Sequence, residues 1–185
     1  MSGDVPLVAG SNLTVSRRVA RELVGSDAFE RALSDLSPEE RSSYMDSTAM
    51  SWVPVAHIDR ALERLAHHSG HAAEWLSAEL ARRSQEEMLN TLYRVLMRIT
   101  TDEALIGRTQ TFYSKVYDTG SLSSVFPAPG RCEVTLSGWR TISDLQLVGL
   151  GAGVETTLRC AGRKDARVQG RRTADGAFYL CTWRK

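Results

Sequence analysis

The spacing of apolar residues changes near residue 120, and that change constrains the fold more than any single motif. Up to that point apolar residues recur at helical intervals. Beyond it come two short alternating segments, a glycine-studded helix and two more alternating segments. This order specifies an α+β fold, with an N-terminal helical layer packed on a small antiparallel sheet made of two hairpins joined by a helix, ββαββ. We divide the chain into a flexible arm over 1–12 and a single α+β domain over 13–185, helical over 13–120 and ββαββ over 121–185. At 185 residues and 42% hydrophobic, the chain is long enough for one such core.

Within the helical part, Val15, Val19 and Leu23 share a stripe, and Phe29, Leu33 and Leu36 mark a second short helix from about Asp27. Ser37-Pro38-Glu39-Glu40 reads as a helix start. The serine caps, the proline suits the first turn, and Glu40 can reach back to the cap amide. Val55, Ile58, Leu62 and Leu65 form a stripe that breaks at Ser69-Gly70. Trp75, Leu76, Leu80, Met88, Leu89, Leu92, Leu96 and Ile99 form a longer one, broadened at its end by Tyr93 and Met97. Thr101-Asp102-Glu103 opens a further helix, with Leu105, Phe112 and Val116 on one face and Ile106, Tyr113 and Tyr117 beside them.

Gly120 ends that helix. Ser121 to Phe126 and Arg131 to Ser137 then flank Pro127-Ala128-Pro129-Gly130 as a first hairpin, with Cys132, Val134 and Leu136 turned to the core. Ser143 starts a helix that stops at Gly162. Val168 to Thr173 and Phe178 to Trp183 make the second hairpin across Ala174-Asp175-Gly176.

Charge is unevenly spread. Residues 22–103 hold fifteen acids against eight bases, whereas 159–185 hold eight bases against two acids. The near-neutral total excludes a uniformly basic nucleic-acid binder. No apolar run approaches the ~20 residues of a membrane-spanning helix, and the N-terminus lacks a secretory pattern. Three widely spaced cysteines argue against a disulfide framework, so we expect a reduced, cytoplasmic protein.

Several constellations could carry chemistry. His67 and His71 are four apart and could share a helical face as metal ligands, with His68 and Glu74 nearby, but Gly70 interrupts them; polar residues at a helix junction is the plainer reading. Cys160 and Cys181 could approach each other, yet intracellular cysteines are more often small core residues. Phe112, Tyr113, Tyr117, Trp139, Tyr179 and Trp183 could wall a small-ligand pocket, or be ordinary core. Arg163, Lys164, Arg167, Arg171 and Arg172 form a basic group suited to an anionic partner, or a solvated face. Gly149, Gly151 and Gly153 alternate inside a helix without a phosphate-loop context, which suggests close packing on the sheet or on a second copy. No serine sits in a nucleophile elbow, and no catalytic set is complete.

Read in order, Leu92-Tyr93-Arg94-Val95-Leu96, Phe112 to Gly120, Leu136-Ser137-Gly138-Trp139, Gly149 to Glu155 and Tyr179-Leu180-Cys181-Thr182-Trp183 resemble a small ligand-binding superfamily. It contains 4-vinyl-reductase domains, haem–NO-binding domains and trafficking-particle (TRAPP) subunits. The closer resemblance, over about 50–185, is to an uncharacterised bacterial family abundant in myxobacteria. The resemblance implies a sensing or assembly role and a cavity between the helical layer and the sheet. Haem-binding relatives carry a Tyr-x-Ser-x-Arg signature that this chain lacks, so no cofactor is expected and haem is disfavoured. The resulting expectation is a non-enzymatic sensor or scaffold module that self-associates or binds a partner protein or a small apolar ligand, rather than nucleic acid. Two alternatives stand beside it. One is a metal- or haem-dependent sensor or enzyme using the His67/His71 or Cys160/Cys181 region; the other is an anionic-partner or nucleic-acid binder through the basic hairpin.

Overall fold

A computed structural model describes residues 5–89, 95–97 and 100–184. The residues Leu92, Tyr93, Arg94 and Ile99, on which part of the long stripe and of the family resemblance rests, lie outside the described residues, as do residues 1–4 of the expected arm.

The chain mixes helix and antiparallel sheet. Within the stretch 1–12, Leu7–Ala9 forms β1 and α1 (Gly10–Val24) begins at once. Next come α2 (Ser26–Ser34), α3 (Pro38–Met45), β2 (Trp52–Pro54), α4 (Val55–Ser69) and α5 (Ala73–Met88). After the linking segment follow α6 (Asp102–Val116), β3 (Ser121–Ala128), β4 (Arg131–Ser137), α7 (Asp144–Cys160), β5 (Lys164–Thr173) and β6 (Gly176–Arg184). β1 and β2 pair with each other, and the larger sheet runs β3-β4-β6-β5, antiparallel throughout.

Local chemistry explains most boundaries. Ser37 and Glu40 form the reciprocal cap on α3: Glu40 N–H donates to Ser37 Oγ at 3.3 Å, and Ser37 N–H to Glu40 Oε2 at 2.9 Å. α4 stops where Gly70 takes a left-handed φ of 72°. Thr101 and Ser143 cap α6 and α7 by accepting from Ala104 N–H and Gln146 N–H. Cys132, Val134 and Leu136 are buried on one face of β4, as the alternation requires.

α7 is the central helix. Its alternating glycines lie on opposite sides of it, because a two-residue step turns a helix by about 200°. On one side, a Cβ at Gly149 would stand 3.0 Å from Ser77 Oγ of α5, and that hydroxyl donates to the Leu145 carbonyl at 2.7 Å. On the other, a Cβ at Gly151 would meet the Tyr179 ring of β6 at 3.4 Å. The chain therefore stacks α5 on α7 and α7 on the sheet without a bulky side chain between them.

This stacking corrects the stripe read for residues 75–99. Leu76, Leu80 and Leu89 are buried, but Trp75, Met88 and Leu96 are exposed. α5 turns its small residues Ser77 and Ser84 inward to meet α7, which rotates Trp75 and Met88 outward. Phe112 is likewise exposed at 53%, while its neighbour Tyr113 is buried.

Candidate functional site

Four of the six aromatic residues singled out from the sequence meet where α6 ends. Tyr113 and Tyr117, one helical turn apart, stack at 5.2 Å between ring centroids, and Tyr117 lies 5.2 Å from Trp139 of the β4–α7 loop. Tyr179 completes the group from β6, beneath Gly151. Each tyrosine hydroxyl has a partner: Tyr113 donates to the Thr119 carbonyl at 2.7 Å, and Tyr179 to the Leu147 carbonyl at 3.2 Å. Burial, with the neighbouring hydroxyls adding to it, holds Tyr113 and Tyr179 well above the usual phenol range.

Tyr117 begins a chain of partly buried hydrogen bonds. Its hydroxyl donates to Gln146 Oε1 at 2.9 Å, and Gln146 Nε2 donates to Asp59 Oδ1 of α4 at 2.7 Å. Burial raises the Asp59 carboxyl, opposed by the hydrogen bonds from Gln146 and Ser143. Three layers are thus joined by one side-chain relay, α4 to α7 to the end of α6. Sequence periodicity offered no signal for it, since Asp59 and Gln146 are 87 residues apart.

The other two aromatics sit apart from this junction. Phe112 points away from the core, and Trp183 lies four residues beyond Tyr179, where its N–H donates to the Gly130 carbonyl and its buried Nε1 has no partner among the described residues. A surface cleft of about 810 Å³ borders the junction at Trp139, between Leu7, Asp118, Gly138 and Asp175.

The histidines do not converge. His67 and His71 are separated by the end of α4, so they share no helical face. His68 Nε2 is 2.7 Å from Asp35 Oδ2, and His71 packs on Trp75 at 4.4 Å. Among the described residues no group of three or more His, Cys, Asp or Glu is placed to hold a metal ion. Cys181 lies opposite Cys132 in the sheet register. Burial pushes the Cys132 thiol up to about 11 and the Cys181 thiol up to about 12, so both are neutral at pH 7.

Nor is the basic group one surface. Arg163 is half-buried, pairing with Asp102 at 2.8 Å and donating to the Met97 and Thr100 carbonyls. Arg172 is tied to Asp144 and the Ile142 carbonyl. Arg171 lies over the Phe178 ring at 4.8 Å, and Lys164 and Arg167 are exposed.

No family model matches the chain, and no curated protein does. Solved structures match along its whole length. An H-NOX protein from K. algicida, in the Fe(II) unliganded form, superposes with a TM-score of 0.70 at 10% identity, covering 96% of this chain and 97% of that one. An oxygen-binding H-NOX domain related to soluble guanylate cyclases, as its oxygen complex, gives 0.65 at 11% identity over 95% of each chain. A third, from work on haem distortion in the H-NOX family, gives 0.60 at 13% identity over 95% of each. At these identities the likeness establishes the fold.

That likeness corrects two expectations. The non-haem scaffold reading, and the expectation of no cofactor with haem disfavoured, rested on a missing three-residue signature. The solved chains that share this fold from end to end are haem proteins, and at 9–13% identity a short spacing need not survive where the fold does. The solved structures that the chain resembles are H-NOX domains, and none of those reported above is a 4-vinyl reductase.

An iron porphyrin takes an axial His, Cys, Met or Tyr beside a flat apolar slot. Among the described residues, α6 and α7 carry no histidine, and the inward tyrosines and thiols are closed over by their neighbours. α5 packs directly on α7, and α7 packs directly on the sheet. In this closed arrangement the described residues do not form a haem slot.

Proposed function

We propose that this chain is a haem-dependent sensor of a small ligand, built on the H-NOX architecture, in which α5 parts from α7 to admit the porphyrin that the closed arrangement excludes. One observation carries the reading: the end-to-end superposition on H-NOX structures at a TM-score of 0.70, with nearly complete coverage of both chains. The aromatic junction of Tyr113, Tyr117, Trp139 and Tyr179 is the inner surface at which occupancy would be felt, because it adjoins α6, α7 and the sheet together. A reducing cytoplasmic setting and kinship with the uncharacterised bacterial family belong to the same reading. Three free cysteines support the first, and the ordered motifs after residue 110 support the second.

The test is a visible spectrum of protein produced with excess haem precursor and then reconstituted with haemin. A Soret band that co-elutes with folded protein and shifts on adding nitric oxide sustains the proposal. Protein that is folded by circular dichroism yet stays colourless after both treatments overturns it.

A further inference from the structure

The two edges of the four-stranded sheet differ in how they are guarded. Trp183 N–H bonds to the Gly130 carbonyl at 2.9 Å, so the odd-numbered residues of β6 turn their backbone groups towards β4 and the even-numbered ones towards β5. Carried through the registers, this alternation turns Val168 of β5 and Leu122 and Ser124 of β3 to the two outer edges. The Val168 N–H does face outward, and Glu155 of α7 accepts it at 3.1 Å. β5 is further guarded by Lys164, Arg167, Arg171 and Arg172.

β3 has none of this. No residue from Ser121 to Gly130 is charged. Among the described residues, no side chain or backbone group takes the outward N–H and C=O groups of Leu122 and Ser124. Val125 is 63% exposed on the outer face of the sheet. Pro127 and the irregular pairing after Val125 limit the open edge to Ser121–Val125. An uncharged edge with unpaired backbone groups is a template for another strand.

We propose that β3 is a self-association edge, pairing antiparallel with β3 of a second copy about a two-fold axis through Ser123. A second copy fits this edge because a two-fold perpendicular to the sheet sets outer face beside outer face. Leu122 then exchanges hydrogen bonds with Ser124 of its partner, and Ser124 with Leu122, making four bonds. Ser123 stands directly opposite itself, and Val125 stands opposite Ser121. No like charges meet in that register. α6 packs against β3, and its short side chains Ala104, Gly107, Thr111 and Ser114 are exposed. The result is a continuous eight-stranded sheet, and it does not depend on haem.

Sedimentation of the full chain at micromolar concentration tests this, alongside Ser123→Lys/Val125→Lys and single-cysteine variants. The wild type sediments as a dimer. The double lysine variant weakens association by about tenfold or more and keeps the wild-type circular dichroism spectrum. Ser123→Cys forms an intermolecular disulfide under mild oxidation, whereas Gln169→Cys on the opposite edge does not. A wild type that stays monomeric, including one whose β3 pairs only with an added peptide strand, overturns the proposal. So does a dimer that the two lysines leave intact, or one that crosslinks equally through position 169.

Discussion

The hydroxyl of Tyr117 donates to Gln146 Oε1 at 2.9 Å, and through Gln146 it is tied to Asp59 on the far side of α7. The relay fixes how the helical layer sits over the sheet, because each bond has one direction and Gln146 is buried. Tyr117→Phe leaves the Gln146 carbonyl oxygen without its donor, at a cost of about 1–3 kcal/mol. Urea denaturation of the two proteins measures it. A difference near zero would mean that water replaces the hydroxyl.

Asp59 gives the same relay a pH dependence of definite sign. Its unfolded carboxyl loses a proton near 3.8, while burial holds the folded one protonated to higher pH. Between those two values the folded state binds more protons, so the contribution of Asp59 to stability falls as pH rises and levels off above the folded value. Asp59→Asn lacks this fall. Unfolding curves for both proteins from about pH 3.5 to about pH 7 should show the variant gaining on the wild type as pH rises. A gap that is constant with pH would place Asp59 in solvent.

Two glycines of α7 should respond differently to the same substitution. A Cβ at Gly153 meets nothing within 4 Å, so Gly153→Ala should stabilise by about 0.5–1 kcal/mol through helix propensity alone. At Gly149 the Cβ displaces Ser77 Oγ from the Leu145 carbonyl, and losing that bond offsets the gain by about 1 kcal/mol. Thermal melts of the two alanine variants check the ordering. Equal melting temperatures would show that α5 and α7 are not in close contact.

Arg163 links the start of α6 to the end of α7. It pairs with Asp102 and also donates to the Met97, Thr100 and Ala161 carbonyls. Arg163→Met removes that ion pair and the hydrogen bonds to those carbonyls, and should destabilise by about 1–3 kcal/mol. Chemical denaturation reads the loss, and a change below 1 kcal/mol would show the pair to be solvated.

Much of this architecture is written locally. Ser37 and Glu40 specify a capped helix because both partners of the cap lie within one turn, and Ser69-Gly70 specifies a stop because only glycine takes the left-handed turn cheaply. The alternation Cys132, Val134, Leu136 likewise names the core face of its strand without reference to the rest of the chain. Helical class, sheet class and their order follow from such short-range signals.

Which face meets which neighbour is another matter. Phe112 and Tyr113 are adjacent, equally aromatic and about 100° apart around one helix; only the position of the sheet buries one and exposes the other. Trp75 falls on the apolar stripe and is nonetheless exposed, because α5 presents Ser77 to a glycine-bearing partner across the fold. Arg163 was read with a basic surface and forms a partly buried ion pair, because its carboxylate comes from 61 residues away. Spacing along a chain therefore decides what each element is. Long-range packing, which fixes the rotation of each element about its own axis, decides what its side chains can touch.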